Sequence, residues 1–292
     1  MTSHIRKAVI PAAGIGTRLL SATKEMPKEM LPIFARGSKG SLMLKPVLQL
    51  IFEQLYEVGF REFCFIVGRG KRAIEDHFSI DTSFLSELRA RGKGHLAHEL
   101  ERFYDKVSNS TIIFINQPEP KGFGDAILRA KPFTSDEAFL VHAGDDLVLS
   151  SQCSHLRRLL DVFKTYKPSV ALLIEEVADP RAYGVVTVEE LRRETAGIYR
   201  IIDIVEKPAK PPSNLAVIAI YVLTPVIYDA LKHTKPDATG EIQLTDAIRA
   251  LVVRGELIVA VKLRHDERRI DVGTPRGYWK ALCETMKFVR GR

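Results

Sequence analysis

Short apolar runs alternate along the chain with longer segments in which apolar residues recur every three or four positions. The runs are typical of strands buried on both faces, and the segments are typical of amphipathic helices. The pattern predicts strands over 5–11, 63–67, 112–115, 139–142 and 170–174. It predicts helices over 44–58, 125–130 and 155–166, and Gly59 stands where the first of these would end.

Beyond residue 178 the predicted strands come closer together, with Pro and Gly between them, which indicates an antiparallel or mixed extension. Strands are predicted over 184–188, 198–205, 215–223 and 257–263, and helices over 225–232, 243–254 and 275–290. No Pro-, Ser- or Gly-rich linker divides the chain. We therefore predict one α/β domain over 1–292, with three layers and a mostly parallel, Rossmann-like central sheet that carries the mixed extension.

Composition narrows the class of protein. With 46% hydrophobic and 27% charged residues, the chain is neither disordered nor fibrous. No apolar run reaches the roughly 18 residues of a membrane span, and the first residues lack a signal-peptide pattern, so we expect a soluble, cytoplasmic protein without membrane partners. The three cysteines, Cys64, Cys153 and Cys283, form no C-x-x-C pair, which argues against a disulfide framework and a cysteine zinc site.

The chain is basic: 43 Lys and Arg against 36 Asp and Glu give a net charge of +7. This charge favours anionic partners. The densest basic groups, 89–93 and 264–269, lack the interleaved aromatic residues that stack on bases, so solvated surface charge is a better interpretation than a nucleic-acid site. The eight histidines form no H-E-x-x-H motif and no evident triad.

A glycine-containing loop follows the first predicted strand. It reads Ala-Gly-Ile-Gly-Thr-Arg, and Leu19 stands where a dinucleotide-binding fingerprint would have its third glycine. Backbone amides beside Gly14 and Gly16 can approach a phosphate closely, and the guanidinium of Arg18 can bind its oxygens. The loop is either a triphosphate site or a tight turn with solvated cations.

The longer string from Pro11 to Pro32 contains A-G-I-G-T-R and P-K-E-M-L-P, and here the chain resembles the sugar-nucleotide pyrophosphorylases. Among them it is most similar to the bacterial-type UTP–glucose-1-phosphate uridylyltransferases. Further matching segments, in the same order, are Gln117, Lys121-Gly122, Gly144-Asp145, Tyr183 to Val186, Glu206-Lys207-Pro208, Glu241 to Asp246 and Asp271-x-Gly273. The resemblance covers essentially the whole chain.

The resemblance implies a nucleotidyltransferase that makes UDP-glucose and pyrophosphate from UTP and glucose 1-phosphate. In that family Arg18 and Lys28 would bind the triphosphate, and Lys207 would hold the sugar phosphate. Asp145 and Asp271 would bind Mg²⁺, which usually takes one or two protein carboxylates. Asp145 also ends a predicted strand, where α/β sheets place their ligands. The catalytic set is therefore Arg18, Lys28, Asp145 and Lys207.

The resemblance also implies the binding residues. The nucleotide would contact the part of the chain at about 1–150, at Ala12, Ala13, Gly14, Gly16, Thr17, Gln117 and Gly122. The sugar would contact the part at about 151–292, at Gly184, Glu206, Lys207 and Val217. The amide of Gln117 suits the imide edge of uracil.

Several of these residues have a structural alternative. Gln117 could cap a turn, Asp271 could cap the next helix, Glu206 and Lys207 could form a surface ion pair, and Gly184 and Val217 could be packing residues. The Glu241 to Asp246 segment is interpreted as structural.

Three departures from the family pattern bear on substrate choice. The link over 34–45 is longer than usual and could form a loop over the nucleotide or a contact surface. Asp125 replaces a common His, and Ala-Gly-Asp-Asp replaces Leu-Pro-Asp-Val before the metal carboxylate. The alternatives are the same reaction with dTTP or another sugar 1-phosphate, or a non-catalytic protein that binds nucleotide sugars. We also expect a homo-oligomer, a dimer or a tetramer.

Overall fold

The computed structural model describes residues 5–191 and 196–291, and the fold is built from strands and helices in alternation. The strands are β1 (Lys7–Pro11), β2 (Pro32–Arg36), β3 (Leu42–Pro46), β4 (Glu62–Val67), β5 (Thr111–Asn116), β6 (Phe139–His142), β7 (Asp146–Leu149), β8 (Val170–Glu176), β9 (Gly184–Glu190), β10 (Ile198–Glu206), β11 (Leu215–Leu223), β12 (Ile258–Lys262) and β13 (Arg268–Asp271). The α-helices are α1 (Val47–Glu57), α2 (Arg72–His77), α3 (Thr82–Ala90), α4 (Gly94–Ser108), α5 (Phe123–Arg129), α6 (Lys131–Thr134), α7 (Ser154–Tyr166), α8 (Val226–His233), α9 (Leu244–Val253) and α10 (Pro275–Arg290). None of the described helices is both long and apolar enough to cross a membrane.

One large sheet has the strand order β5-β4-β1-β6-β11-β8-β12-β10-β9. The first four strands are parallel, because each link between β1, β4, β5 and β6 contains at least one helix that returns the chain to the same edge. Strand β8 pairs with β12 in parallel, and the other pairings are antiparallel. The sheet as a whole is mixed and includes the predicted mixed extension, while its continuous parallel part is limited to β5, β4, β1 and β6. No described helix lies between β9 and β10 or between β10 and β11, and both links are shorter than the dozen or more residues that a parallel crossover needs.

Helices cover both faces of this sheet. On β1, Ala8 and Ile10 point into one apolar core, which includes residues of α1, α4, α7 and α10. Val9, between them, belongs to the opposite core, to which α5, α8 and α9 contribute. Successive strand residues point to opposite faces, so a strand buried on both faces is apolar throughout. This is why the short apolar runs mark the central strands so well.

The insertion over 34–45 is part of a hairpin formed by β2 and β3. Leu44, which the sequence pattern assigned to a helix, lies in β3, and the helix begins only at Val47. Pro46 disfavours a helical conformation at the residue before it, which explains the later start. The hairpin packs on α10, where the hydroxyl of Tyr278 donates to the carbonyl of Pro32 over 2.9 Å. Its turn is held by Glu99, which accepts from the amide of Ser38 over 2.7 Å.

Strands β7 and β13 form a separate antiparallel pair beside the large sheet, in which Asp271 lies opposite Asp146. The sequence pattern predicted neither strand. β7 has only three consecutive apolar residues after Asp146, and three of the four residues of β13 are charged, so neither reaches the run of at least four apolar residues that marks a buried strand. The pairing matters because it brings Asp271 next to the end of β6.

Candidate active site

An open cavity of about 940 Å³ lies where β1, β5 and β6 end. This is the edge at which open α/β sheets bind their ligands. The predicted site residues that border the cavity are Ala13, Gly14, Gly16, Thr17, Arg18, Lys28, Gln117, Gly122, Asp145, Gly184, Glu206, Lys207, Val217 and Asp271. Ala12 does not border it: Ala12 is buried, and its amide donates to Ile66 over 2.8 Å. The 34–45 hairpin contributes none of the described lining residues, so it does not form a loop over this cavity.

Gly16 allows the tight turn of the loop after β1. Gly16 has a φ of +74°, a left-handed conformation that glycine adopts without strain. Its carbonyl accepts from the hydroxyl of Thr23 over 2.8 Å, which closes the turn. A Cβ at Gly14 would make an ordinary van der Waals contact of 3.4 Å with Nζ of Lys28, which shows that this lysine lies directly against the loop.

Lys28 and Asp145 form an ion pair at the cavity wall, with 2.5 Å between Nζ and Oδ2. Burial opposes ionisation of Asp145, but the nearby ammonium of Lys28 outweighs it and lowers the pKa of the carboxyl group. Burial likewise opposes the charged form of Lys28, yet Asp145 and then Glu29 raise its pKa. Both groups are therefore charged at neutral pH, and the cation already contacts the carboxylate.

A second ion pair lies beneath the first. Nζ of Lys71 is 2.8 Å from Oε2 of Glu29, and both side chains are buried. Burial raises the pKa of Glu29, and the attraction of Lys71 opposes that rise. A Cβ at Gly144 would lie 3.1 Å from Cγ of Glu29, so this glycine makes room for the pair. The sequence analysis did not identify Lys71, because a lone lysine after a strand carries no distinguishing pattern.

Asp271 faces the cavity from the end of β13. Its Oδ1 accepts from the amide of Gly273 over 2.7 Å. Burial raises the pKa of Asp271, and the neighbouring carboxylates of Asp146 and Asp145 raise it further. The alternative that Asp271 caps the next helix is not supported, since Thr274 caps α10 by accepting from the amide of Gly277 over 3.0 Å.

The arrangement suits a hard cation. Asp145 and Asp271 border the same cavity and repel each other, and a bound cation would relieve that repulsion. Within residues 5–191 and 196–291, no group of three potential metal-ligating side chains is found. Two carboxylates are enough for Mg²⁺, which keeps waters and phosphate oxygens as its other ligands.

A charged network missed by the sequence analysis lies beside this carboxylate pair. The guanidinium of Arg269 binds Asp146 through two hydrogen bonds of 2.7 and 2.8 Å and binds Glu175 over 2.8 Å. Although burial opposes its charged form, these carboxylates hold the pKa of Arg269 well above its usual range. Its guanidinium carbon also lies 4.6 Å from the ring centre of Tyr183. Three of the five N–H groups of Arg269 thus bind protein carboxylates.

The predicted sugar-binding residues surround Glu206, at the end of β10. One carboxylate oxygen lies 3.0 Å from Nζ of Lys207, and the other accepts from the hydroxyl of Thr245 over 2.9 Å. A Cβ at Gly184 would lie only 2.8 Å from the methyl carbon of Thr245. The Glu241 to Asp246 segment, interpreted from sequence as structural, therefore supplies a wall of the cavity through Thr245.

Gln117 and Gly122 lie together in the loop between β5 and α5. The amide nitrogen of Gln117 donates to the carbonyl of Gly122 over 3.2 Å and to Oδ2 of Asp125 over 2.7 Å. Gly122 has a φ of +94°, and a Cβ there would lie 2.8 Å from Cβ of Glu241. Only glycine fits this position.

The sequence matches the Nucleotidyl transferase family over residues 7–287. It is 39% identical over 290 residues to a UTP–glucose-1-phosphate uridylyltransferase of Streptococcus pneumoniae, covering 97% of this chain and 91% of the relative. It is 40% identical over 290 residues to a UTP–glucose-1-phosphate uridylyltransferase of Bacillus subtilis, covering 97% and 90%.

Solved structures agree with these sequence relatives. A UDP-glucose pyrophosphorylase complexed with UDP-glucose superimposes with a TM-score of 0.82 and 35% identity, covering 99% of this chain and 100% of the other. A UTP-bound UGPase from Acinetobacter baumannii superimposes with a TM-score of 0.82 and 29% identity, covering 96% and 93%. The similarity thus extends over nearly the full length of each protein.

Proposed function

The chain belongs to the nucleotidyltransferase family, and we propose that it forms UDP-glucose and pyrophosphate from UTP and α-D-glucose 1-phosphate. One observation carries the proposal. A single cavity combines the glycine loop and the cations Arg18 and Lys28 with the Glu206-Lys207 pair, which comes from the other half of the sheet. Such a cavity has separate cationic groups for two anionic substrates.

The reaction joins two anions, so charge neutralisation and positioning dominate its catalysis. An oxygen of the sugar phosphate attacks the α-phosphorus of UTP, and the bond from that phosphorus to the leaving pyrophosphate breaks. Arg18 and Lys28 bind the triphosphate and the charge that develops on it. Lys207 holds the phosphate of the sugar in line, and Glu206 accepts hydrogen bonds from sugar hydroxyls.

Mg²⁺ is the proposed cofactor, and Asp145 and Asp271 would hold it. When bound, the ion neutralises phosphate charge and stabilises the transferring group. Lys28 supports the same site, because its ammonium keeps Asp145 ionised and available.

Gln117 is the residue proposed to recognise the base of the nucleotide. Its oxygen Oε1 can accept the N3–H of the uracil imide, while the larger purine rings would meet the loop around Gly122. Thymine offers the same imide, so dTTP is the second candidate substrate. The cytoplasmic location and the homo-oligomer remain predictions from sequence.

The proposal is tested by measuring pyrophosphate release in the presence of Mg²⁺. Each of several nucleoside triphosphates is combined with each of several sugar 1-phosphates. UTP with glucose 1-phosphate should give the highest kcat/KM, and ATP and GTP should be poor substrates. A preference for a purine triphosphate would refute the pyrimidine pocket. UTP binding with no turnover for any sugar phosphate would favour the non-catalytic alternative.

A further inference from the structure

Asp125 is a nearly buried carboxylate in the first turn of α5 that the proposed chemistry does not use. Its Oδ2 accepts from the side-chain nitrogen of Gln117 over 2.7 Å and from Nε of Arg129 over 2.9 Å. The carbonyl of Gly122 accepts from the same nitrogen of Gln117 over 3.2 Å. Two acceptors therefore face the two hydrogens of the Gln117 amide group.

This arrangement allows one orientation of the amide. A carboxylate and a backbone carbonyl can only accept, so a reversed amide would place its oxygen against two acceptors. Buried acceptors that face each other without a hydrogen are costly. The nitrogen of Gln117 therefore points to Asp125, and the oxygen Oε1 is left for the cavity. No described residue donates to Oε1, and Gln117 borders the cavity.

The orientation of this amide decides which pyrimidine it can bind. Uracil and thymine carry a hydrogen on N3, which Oε1 can accept. The N3 atom of cytosine is itself an acceptor and would repel Oε1. A reversed amide would have the opposite preference, since its NH₂ group would donate to cytosine.

We propose that Asp125 is a specificity-determining residue that, by fixing the Gln117 amide, admits uridine or thymidine triphosphates and excludes cytidine triphosphate. The proposal rests on the proposed function, because it assumes that Gln117 faces the base. Asp125 acts through Gln117 and is a positioning residue. A purely structural role is the alternative: an acidic residue in the first turn that pairs with Arg129 at i+4 stabilises a helix.

The ratio of kcat/KM for UTP to that for CTP distinguishes the two roles. In the wild-type protein the ratio should be about 100 or more, since a site built to bind a hydrogen-bonding group rejects a ligand that lacks it. In Asp125→Asn it should fall at least about tenfold, because an amide of the same size can turn either its oxygen or its NH₂ group toward Gln117, so that only the carbonyl of Gly122 still opposes the reversed orientation. A structural role would lower both values of kcat/KM equally and leave the ratio unchanged.

Glu119→Gln is the matched control. Glu119 lies in the same loop and pairs with Lys121 at the surface, and its substitution removes the same charge without touching Gln117. This variant should keep the wild-type ratio. A similar fall in Glu119→Gln would trace the effect to loop charge and overturn the proposal.

Equilibrium binding of UTP and CTP to the wild-type protein provides a test that no variant's folding can affect. UTP should bind at least about tenfold more tightly, and equal dissociation constants would overturn the role of Asp125. If the protein binds UTP selectively but transfers no nucleotide, the proposed reaction fails while the proposal for Asp125 stands.

Discussion

Asp145 and Asp146 are consecutive in the chain but pair with different cations. Asp145 contacts Lys28 at the cavity wall, whereas Asp146 holds the buried guanidinium of Arg269. Both pairs border the cavity, but only the second also ties β13 to β7. The two carboxylates are therefore expected to differ in what they contribute.

Replacing each of them by alanine should separate activity from stability. Asp145→Ala should lower kcat by about 100-fold or more, equivalent to about 3 kcal/mol of barrier, with the fold retained. Asp146→Ala leaves a buried charge without its main partner, so it should lower the free energy of unfolding by about 3–5 kcal/mol. Pyrophosphate release and urea unfolding measure the two effects. Near-normal turnover of Asp145→Ala at saturating Mg²⁺ would remove Asp145 from the metal site.

Arg18 and Lys207 should affect different substrates. Arg18 belongs to the glycine loop, while Lys207 follows β10 and has a φ of +40°, a conformation that is uncommon for non-glycine residues. Arg18→Ala should mainly raise the KM for UTP, and Lys207→Ala that for glucose 1-phosphate, since each loses a charge-assisted contact. Titration of each substrate at a saturating concentration of the other measures this. If both variants changed the KM values for UTP and glucose 1-phosphate in the same way, Arg18 and Lys207 would not bind different substrates.

Gly184→Ala should weaken binding of the sugar phosphate, and a second substitution should restore that binding. The added methyl group would lie 2.8 Å from the methyl carbon of Thr245 and 3.3 Å from a carboxylate oxygen of Glu206. The KM for glucose 1-phosphate should rise about tenfold, with a smaller change for UTP. Thr245→Ser removes the clashing methyl group but keeps the hydroxyl that binds Glu206. The double variant should recover most of the loss, and a double variant no better than Gly184→Ala would contradict this geometry.

His155 should make the folded state sensitive to mild acid. Its side chain is fully buried beside Ser150, and burial, followed by the nearby His142, lowers its pKa to about 3. Below pH 6.5 the unfolded chain binds a proton that the folded chain does not, so stability falls as pH falls from about 6.5 to about 3. Between pH 7 and pH 5, the free energy of unfolding should therefore fall by about 2 kcal/mol less in His155→Gln than in the wild-type protein.

Urea unfolding at the two pH values measures this difference. His95→Gln is the control: its side chain is exposed, so it should leave the pH dependence as in the wild-type protein. If both variants lose the same stability as wild type on acidification, His155 does not carry the effect.

The central strands could be predicted because both of their faces are buried. Their residues, such as Val9 and Cys64, therefore stand in continuous apolar runs. The prediction failed for strands that are short, partly buried or rich in charged residues. The β2–β3 hairpin was assigned in part to a helix because Leu44 happened to match the helical spacing, although Pro46 signalled a boundary.

The candidate site shows the same division. Motif residues such as Lys28 and Asp271 could be named from the sequence, because their strings match a family. The residues that bind Glu29, Asp146 and Glu206 could not: Lys71, Arg269 and Thr245 come from parts of the chain with no motif or with one interpreted as structural. Their contacts exist only once the strands are paired. For Asp125 the departure from the family pattern was visible, but its meaning depended on its contact with Gln117.

The buried pair of Glu29 and Lys71 has an evolutionary consequence. Either residue changed alone would leave an uncompensated charge in the interior, whereas an apolar pair of similar volume could fill the same space without loss. Mutations at the two positions should therefore be tolerated in lineages only in combination. Among related chains, positions 29 and 71 are expected to covary even though they lie 42 positions apart in the sequence.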